Sequence, residues 1–384
     1  MRFHSAPAIL LILLAWVAPT GAATNGAVSC RHAGPAFEGR GRADRLVVDF
    51  MEKYSIPGAS IAISKGDRVV YSAAFAWSDE ARSVPLRTDH RLRIASCSKP
   101  LTSIALMRMA EQGRVDLDAP VFGREGLLKG RYGLPVFEGK PTDVTVRQLL
   151  RHASGGWGNS GSDPIFAFHD QPLDQIVKRT LAERPLTNSP GTHYSYSNFG
   201  YAVLGLVMEA ITGTNYEAAV REWVLVPCGA PGMRISAARG SKPGPDEVHY
   251  FSQGGNAYGV RPEIMQAHGG WIATPAEFLR VLDRVDGHGV VDEILPPGRI
   301  SEMTTEGVAG SGYALGWAVN RHRNWWHMGS LPGTSAVVVR TELGYNWAVF
   351  MNSRSPAAGF DSALDGLVWE ILKAIPNWPE GLTD

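Results

Sequence analysis

The sequence predicts an α/β (α+β) fold in which an antiparallel sheet is flanked by the two terminal helices and joined to a mostly helical lobe. Strand-like runs cluster at both ends of the chain, apolar helical periods lie beside them, and the ~200 residues between are punctuated by helix caps. In chain order, Leu46, Val47, Phe50, Met51 and Tyr54 recur at three- and four-residue steps. They mark one apolar face of a helix that Pro57-Gly58 ends. Ala59 to Ser64 and Arg68 to Trp77 read as strands joined by the turn Lys65-Gly66-Asp67. Thr145 with Gln148 forms a capping box before Val146 to His152, and Thr274, Pro275 and Glu277 combine N-cap, first-turn proline and capping box before Phe278 to Val285. Phe199 to Ile211 is an apolar-rich helix closed by Gly213. Tyr313 to Asn320, Trp325 to Ser330, Ser335 to Thr341 and Asn346 to Asn352 repeat the strand pattern. Ala363, Leu364, Leu367, Val368, Ile371 and Leu372 then trace a closing helix that Pro376 stops. Strands from the two ends should pair in one sheet, with a ligand cleft where that sheet meets the helical middle.

The chain has 384 residues, 44% hydrophobic and 19% charged, which suits a compact globular protein able to bury a core without metals or disulfide staples. Lys plus Arg and Asp plus Glu number 37 each, so no sequence-wide charge exists to attract a nucleic acid or an anionic membrane. Cys30, Cys97 and Cys228 are too few for a disulfide scaffold, have no metal-ligand spacing, and allow at most one bridge, Cys30 to Cys228. Residues 1–23 read as a cleaved signal peptide: Arg2, an apolar run from Ala6 to Ala18, then Gly21, Ala22 and Ala23. That run is shorter than the roughly 20 residues a membrane span needs. Cys30 lies well beyond it, and Ala27 is a weak start for a lipobox, which argues against a lipid anchor. A periplasmic or secreted chain is expected, without a membrane span after signal removal. Residues 24–39 would be a linker and 40–384 one domain, with the sheet lobe at about 40–95 and 305–384 and the helical lobe at about 96–304.

Several motifs fail on context. Gly156, Gly158 and Gly161 fit G-x-G-x-x-G but follow a helix, not a strand, so they do not indicate a dinucleotide site. His152, His169, His193, His249, His268 and His288 are scattered without an H-x-x-x-H pair, and no serine has glycine at both −2 and +2. No metal or other cofactor is expected. Ser96-Cys97-Ser98-Lys99 survives: an S-x-x-K tetrad where the strand-like Arg91 to Ala95 gives way to the helical run Leu101 to Met109. Three residues make about one helical turn, so the Lys99 amine can reach the Ser96 hydroxyl. Pro100 belongs in a first turn, which puts Ser96 at the helix start. A serine hydroxyl needs a base, and a desolvated lysine can supply one near neutral pH.

Two further elements follow in order, far along the chain: Tyr196-Ser197-Asn198, and His327-Met328-Gly329-Ser330 followed by Pro332-Gly333. With S-x-x-K they resemble the three motifs of class C β-lactamases, penicillin-binding D,D-peptidases and their esterase relatives. Val144 to Gly156, Gly113 to Val121 and Gly269 to Pro275 are similar as well, so the likeness covers roughly residues 40–375. The resemblance implies a β-lactamase/transpeptidase-like fold with Ser96 as acylated nucleophile and Lys99 as its proton acceptor. Tyr196 would be a phenolate-type base or proton shuttle across the cleft. Asn198 would orient Lys99 and the substrate, and the backbone N–H groups of Ser96 and Ser330 would form an oxyanion hole beside Gly329. His327 departs from the lysine of true β-lactamases: a partly charged imidazole next to Met328 is a poor carboxylate partner, which weighs against efficient β-lactam turnover. The implied activity is an exported serine hydrolase acting on a small-molecule ester or peptide. A D,D-peptidase or β-lactamase, and a catalytically inert binding protein, are the alternatives. Trp157, Tyr258, Trp271 and Trp325 are candidates to line the acyl pocket, with core packing the expected fate of at least half. Cys97 reads as a small buried hydrophobe.

Overall fold

The computed structural model describes residues 28–34, 36–132, 141–159 and 162–379. The expected signal peptide, the first residues of the expected linker and Gly161 lie outside the described residues. Seven strands form the main antiparallel sheet: β1 (Cys30–His32), β2 (Gly58–Lys65), β3 (Arg68–Ala76), β4 (Ala318–Val319), β5 (Trp325–Leu331), β6 (Thr334–Arg340) and β7 (Tyr345–Met351). Their order is β1-β3-β2-β7-β6-β5-β4, so the two ends of the chain meet where β2 pairs with β7, Ile61 opposite Val349.

The period-two alternation of the strands assigns their side chains to two cores. Val337 and Val339 of β6 and Trp347, Val349 and Met351 of β7 face the terminal helices α1 (Arg40–Tyr54) and α5 (Phe360–Ala374). Ala336, Val338, Ala348 and Phe350 face the other way, into the core shared with the helical lobe. A sheet covered on both faces needs apolar residues at every position, which is why β6 reads Ser-Ala-Val-Val-Val without alternation and is buried throughout. Phe50, Tyr54 and Phe360 meet at ring separations of 4.8, 5.7 and 5.2 Å and lock the two terminal helices together.

On the opposite face, α2 (Lys99–Glu111) is buried along most of its length, crossed by α3 (Asn198–Thr212) and α4 (Pro262–Gly269). Both expected capping boxes are present, Thr145 with Gln148 and Thr274 with Glu277, and Gly213 closes α3 with φ +72°. Two expected strands are much shorter. Of Tyr313 to Asn320 only Ala318–Val319 is strand, because Gly316, at φ +85° and pressed against Ser103, folds Ala314 back onto Trp317. Of Arg91 to Ala95 only Leu92–Arg93 is strand, and it pairs with Trp271–Ala273 in a small sheet apart from the main one. Cys30, Cys97 and Cys228 are free thiols, so the possible Cys30–Cys228 bridge is not made. Among the described residues no helix is long and apolar enough to cross a membrane.

Candidate active site

Ser96 lies in a single 3-10 turn, Ala95–Ser98, that runs directly into α2. Ala95 has φ +46°, a conformation an L side chain adopts only at a cost, and this twist turns the chain from Leu92–Arg93 into the helix start. Pro100 occupies the first turn, where no helix hydrogen bond is lost. Lys99 follows one turn after the serine and is fully buried.

The Lys99 amine has three oxygen neighbours: Ser96 Oγ at 3.2 Å, Asn198 Oδ1 at 2.7 Å and the His268 backbone oxygen at 3.0 Å. The last two are carbonyl oxygens, which only accept. A neutral amine has two hydrogens and one lone pair; with both hydrogens held, the lone pair is left for the Ser96 O–H. Burial strips water from the ammonium form and lowers the Lys99 pKa to about 7, with the Asp163 carboxylate pulling the other way.

Asn198 is held by the start of α3. Ser197 is its N-cap, accepting from Gly200 N at 3.0 Å and donating to the Trp157 carbonyl at 2.6 Å. Asp163 Oδ2 accepts from Asn198 N at 2.7 Å and Phe199 N at 3.3 Å, so a carboxylate from a separate segment caps the same helix end.

Tyr196 lines the cleft just ahead of that cap. Its ring lies 4.7 Å from Lys99 Nζ, and its hydroxyl is beside the Ser96 side chain, which favours ionisation less than burial opposes it. Burial therefore drives the phenol well above its ordinary pKa, and the phenolate form expected of Tyr196 is disfavoured. A phenolate would need a cation at hand; of the two expected suppliers, burial holds His327 neutral and leaves Lys99 charged only below about pH 7. Proton shuttling as the neutral phenol remains chemically available.

His327 is buried on β5, and desolvation lowers its pKa to about 3. It is thus neutral at pH 7, where a partial charge was expected. Its tautomer follows from its partners: Nδ1 lies 2.7 Å from the Met328 carbonyl, which can only accept, so Nδ1 carries the hydrogen and Nε2 accepts from Tyr313 Oη at 3.1 Å. Gly329 is required by close approach, since a Cβ there would sit 2.2 Å from the Ile94 oxygen and 3.1 Å from Ala95 Cβ. β4 pairs β5 only at Trp325 and Trp326, which leaves the edge from His327 to Ser330 open beside the Ser96 turn.

A cavity of about 480 Å³ brings Ser96, Tyr196, Asn198, His327, Gly329 and Ser330 to one wall, with Lys99 buried behind them. Tyr313, Tyr194 and Trp326 also line it. A second cavity of about 590 Å³ adjoins it through Phe166, Met265, Ser330 and Leu331, and its further wall is largely apolar, with Ile165, Val260 and Ile264. The arginines of that chamber are paired: Arg261 with Glu263 at 2.9 Å, Arg354 with both oxygens of Asp361. None of the four aromatics expected at the acyl pocket lines the cavity that holds Ser96. Trp157 packs on Phe122 and Phe199, Trp271 on Tyr216, Trp325 on Trp317 and Tyr258 on Tyr250. Trp325 shares its face of β5 with His327 but is taken up by Trp317, whereas Trp326, on the opposite face, packs toward the terminal helices and also borders the cavity.

Four contributors were not anticipated. His152 packs on Tyr196 at 4.3 Å and accepts from Ser197 N at 3.0 Å; burial holds its imidazole neutral. Tyr313 fixes His327, Asp163 caps α3, and the His268 carbonyl holds Lys99. His152 lies inside Val144 to Gly156, a stretch already singled out by likeness. A backbone carbonyl leaves no trace in sequence. Groups of three metal-ligating side chains among the described residues converge elsewhere, at Cys30, His32 and Asp44 and at Asp67, Asp283 and Asp286.

The family model described as Beta-lactamase matches residues 43–368. Protein flp of Staphylococcus aureus (strain N315) is 23% identical over 324 residues, 81% of this chain and 63% of that protein, so the chain spans under two thirds of its length. Esterase EstB of Burkholderia gladioli is 30% identical over 204 residues, 49% of each chain. Among solved structures, D-amino acid amidase from Ochrobactrum anthropi SV3 superposes with a TM-score of 0.71 at 22% identity, covering 89% of this chain and 99% of the amidase. The octameric penicillin-binding protein homologue from Pyrococcus abyssi does so at 0.67 and 22%, covering 88% and 79%. At these identities the two structures establish the fold.

Proposed function

The chain belongs to the Beta-lactamase family, and on that footing we propose that it is an exported serine hydrolase that cleaves an ester or amide bond through an acyl-Ser96 intermediate. The observation that carries this reading is the Lys99 amine, 3.2 Å from Ser96 Oγ and held by Asn198 Oδ1 and the His268 carbonyl; in the neutral amine those two acceptors take both hydrogens and leave the lone pair for the Ser96 O–H. Ser96 Oγ attacks the carbonyl carbon while its proton passes to Lys99 Nζ. The negative charge on the carbonyl oxygen is met by the backbone N–H groups of Ser96 and Ser330. The Tyr196 phenol gives its proton to the departing oxygen or nitrogen and regains one from the Lys99 ammonium, so the alcohol or amine leaves neutral. Water then enters along the same path in reverse, releasing the acid and restoring Ser96.

Charge separates the substrate classes. The Lys99 amine is neutral above about pH 7, His327 is neutral, and the arginines of the adjoining chamber are already paired. A β-lactam or a D,D-peptide brings a carboxylate and would find no unpaired arginine or lysine among the described residues lining the two chambers, whereas an uncharged ester or amide needs none. A purely binding role has no disrupted catalytic group in its favour.

The test compares kcat/KM for an uncharged nitrophenyl ester and a carboxylate-bearing chromogenic cephalosporin between pH 5 and 9. The ester should be preferred, and its rate should climb with pH through a midpoint near 7, because below that value Lys99 holds the proton it must accept. A flat profile would remove Lys99 as the base, and preference for the cephalosporin would restore the β-lactamase alternative.

A further inference from the structure

On the far edge of the main sheet, Cys30 and His32 stand two residues apart on β1 and so project to the same face, toward α1, which supplies Asp44. We propose that Cys30, His32 and Asp44 form a site for a zinc-like divalent cation. Cys30 Sγ lies 3.4 Å from His32 Nε2, and that nitrogen lies 2.9 and 3.1 Å from the two Asp44 oxygens. One ligand atom from each side chain falls within 4.8 Å of the other two. Zinc–sulfur bonds of about 2.3 Å and zinc–nitrogen bonds of about 2.05 Å set the sulfur–nitrogen edge of a tetrahedral shell at about 3.5 Å and its nitrogen–oxygen edge at about 3.3 Å. The sulfur–nitrogen and nitrogen–oxygen edges thus already stand within a few tenths of an ångström of that shell.

The arrangement does not suit a cysteine–histidine–aspartate relay. A relay uses both ring nitrogens, one for the nucleophile and one for the carboxylate, whereas here sulfur and carboxylate meet the same Nε2. Three donors converging on one point fit a shared ion. Tyr71 Oη donates to Asp44 Oδ1 at 2.7 Å, the outer hydrogen bond that orients a ligating carboxylate. The His32 and Asp44 side chains are 17% and 20% exposed, enough for an ion to enter and for water to take the fourth position. On binding, the thiol proton passes to solvent and the thiolate bonds to the metal. The ion would pin the three-residue edge strand to α1, a separate matter from acyl transfer. Cys97 and Cys228 are buried and lack such a set among the described residues.

The test is to titrate the chelator-treated chain with Zn²⁺ against a chromophoric competitor, alongside Cys30→Ser and His32→Gln. Wild type should take up one ion per chain, at least about tenfold more tightly than either variant. The cobalt-loaded wild type should show a thiolate-to-cobalt charge-transfer band that Cys30→Ser lacks. Thermal melting without metal checks that each variant is folded, and added Zn²⁺ should raise the midpoint of the wild type alone. Equal affinity in wild type and a folded variant, or a cobalt spectrum without the thiolate band, would overturn the site and leave the hydrolase reading untouched.

Discussion

Ser96→Ala will take up no mass from a fluorophosphonate probe, and Lys99→Met will be acylated about 10³- to 10⁴-fold more slowly than wild type at pH 8. The two variants remove different things. Ser96→Ala deletes one oxygen at the mouth of the cavity and leaves the Lys99 contacts with Asn198 and His268 in place, so the fold should be unaffected. Lys99→Met keeps a straight side chain of similar length in a buried slot but abolishes the amine. Ser96 then keeps its position and loses its proton acceptor. The substitution also leaves Asn198 Oδ1 and the His268 carbonyl without their donor, at a cost of about 1–3 kcal/mol each. Lys99→Met should therefore melt lower than Ser96→Ala, and the rate must be compared on folded protein. Intact-mass analysis after timed exposure reads both results. Equal labelling of Ser96→Ala would remove the nucleophile, and undiminished labelling of Lys99→Met would remove its base.

The parts of this site that sequence reveals are those whose chemistry is local. S-x-x-K places an amine one turn from a hydroxyl because a helix has a fixed pitch, and Pro100 marks where that helix starts. Thr145 and Thr274 declare their helices through pairs of residues three apart. Ionisation state is different, because it depends on how much water the fold removes. Tyr196 as phenolate and His327 as a partial cation are both reasonable from residue type, and both are disfavoured by the burial of these groups, which pack against His152 and Tyr313 respectively. The acyl-pocket aromatics failed for a related reason. A tryptophan's type says that it is buried but not against what: Trp325 shares the His327 face of β5 and is still taken up by Trp317. Short strands such as Arg234–Ile235 escape because two residues carry no period.

Gly329→Ala should lower kcat/KM by about 10²- to 10³-fold, the loss associated with removing one oxyanion donor, although it changes no group that takes part in chemistry. The added methyl would lie 2.2 Å from the Ile94 oxygen, far inside contact distance, and 3.1 Å from Ala95 Cβ. Neither obstacle can swing away. Ile94 N is bonded to the Trp271 carbonyl at 3.0 Å and its own carbonyl accepts from Cys97 N at 3.0 Å, while Ala95 already occupies a strained conformation next to the nucleophile. β5 is held from the other side by its ladder to β6, Gly329 opposite Ala336. Relief must come from parting β5 and the Ser96 turn, the two segments proposed to supply the paired donors. Parting them also disturbs the buried Cys97 thiol, which donates to the His327 carbonyl at 3.3 Å. The loss should fall mainly on kcat, since a misaligned donor fails the developing oxyanion more than the bound ester. A Gly329→Ala enzyme that is folded and acylated at the wild-type rate would show that β5 contributes no donor, and the charge on the carbonyl oxygen would then have to be met by groups around Ser96 alone.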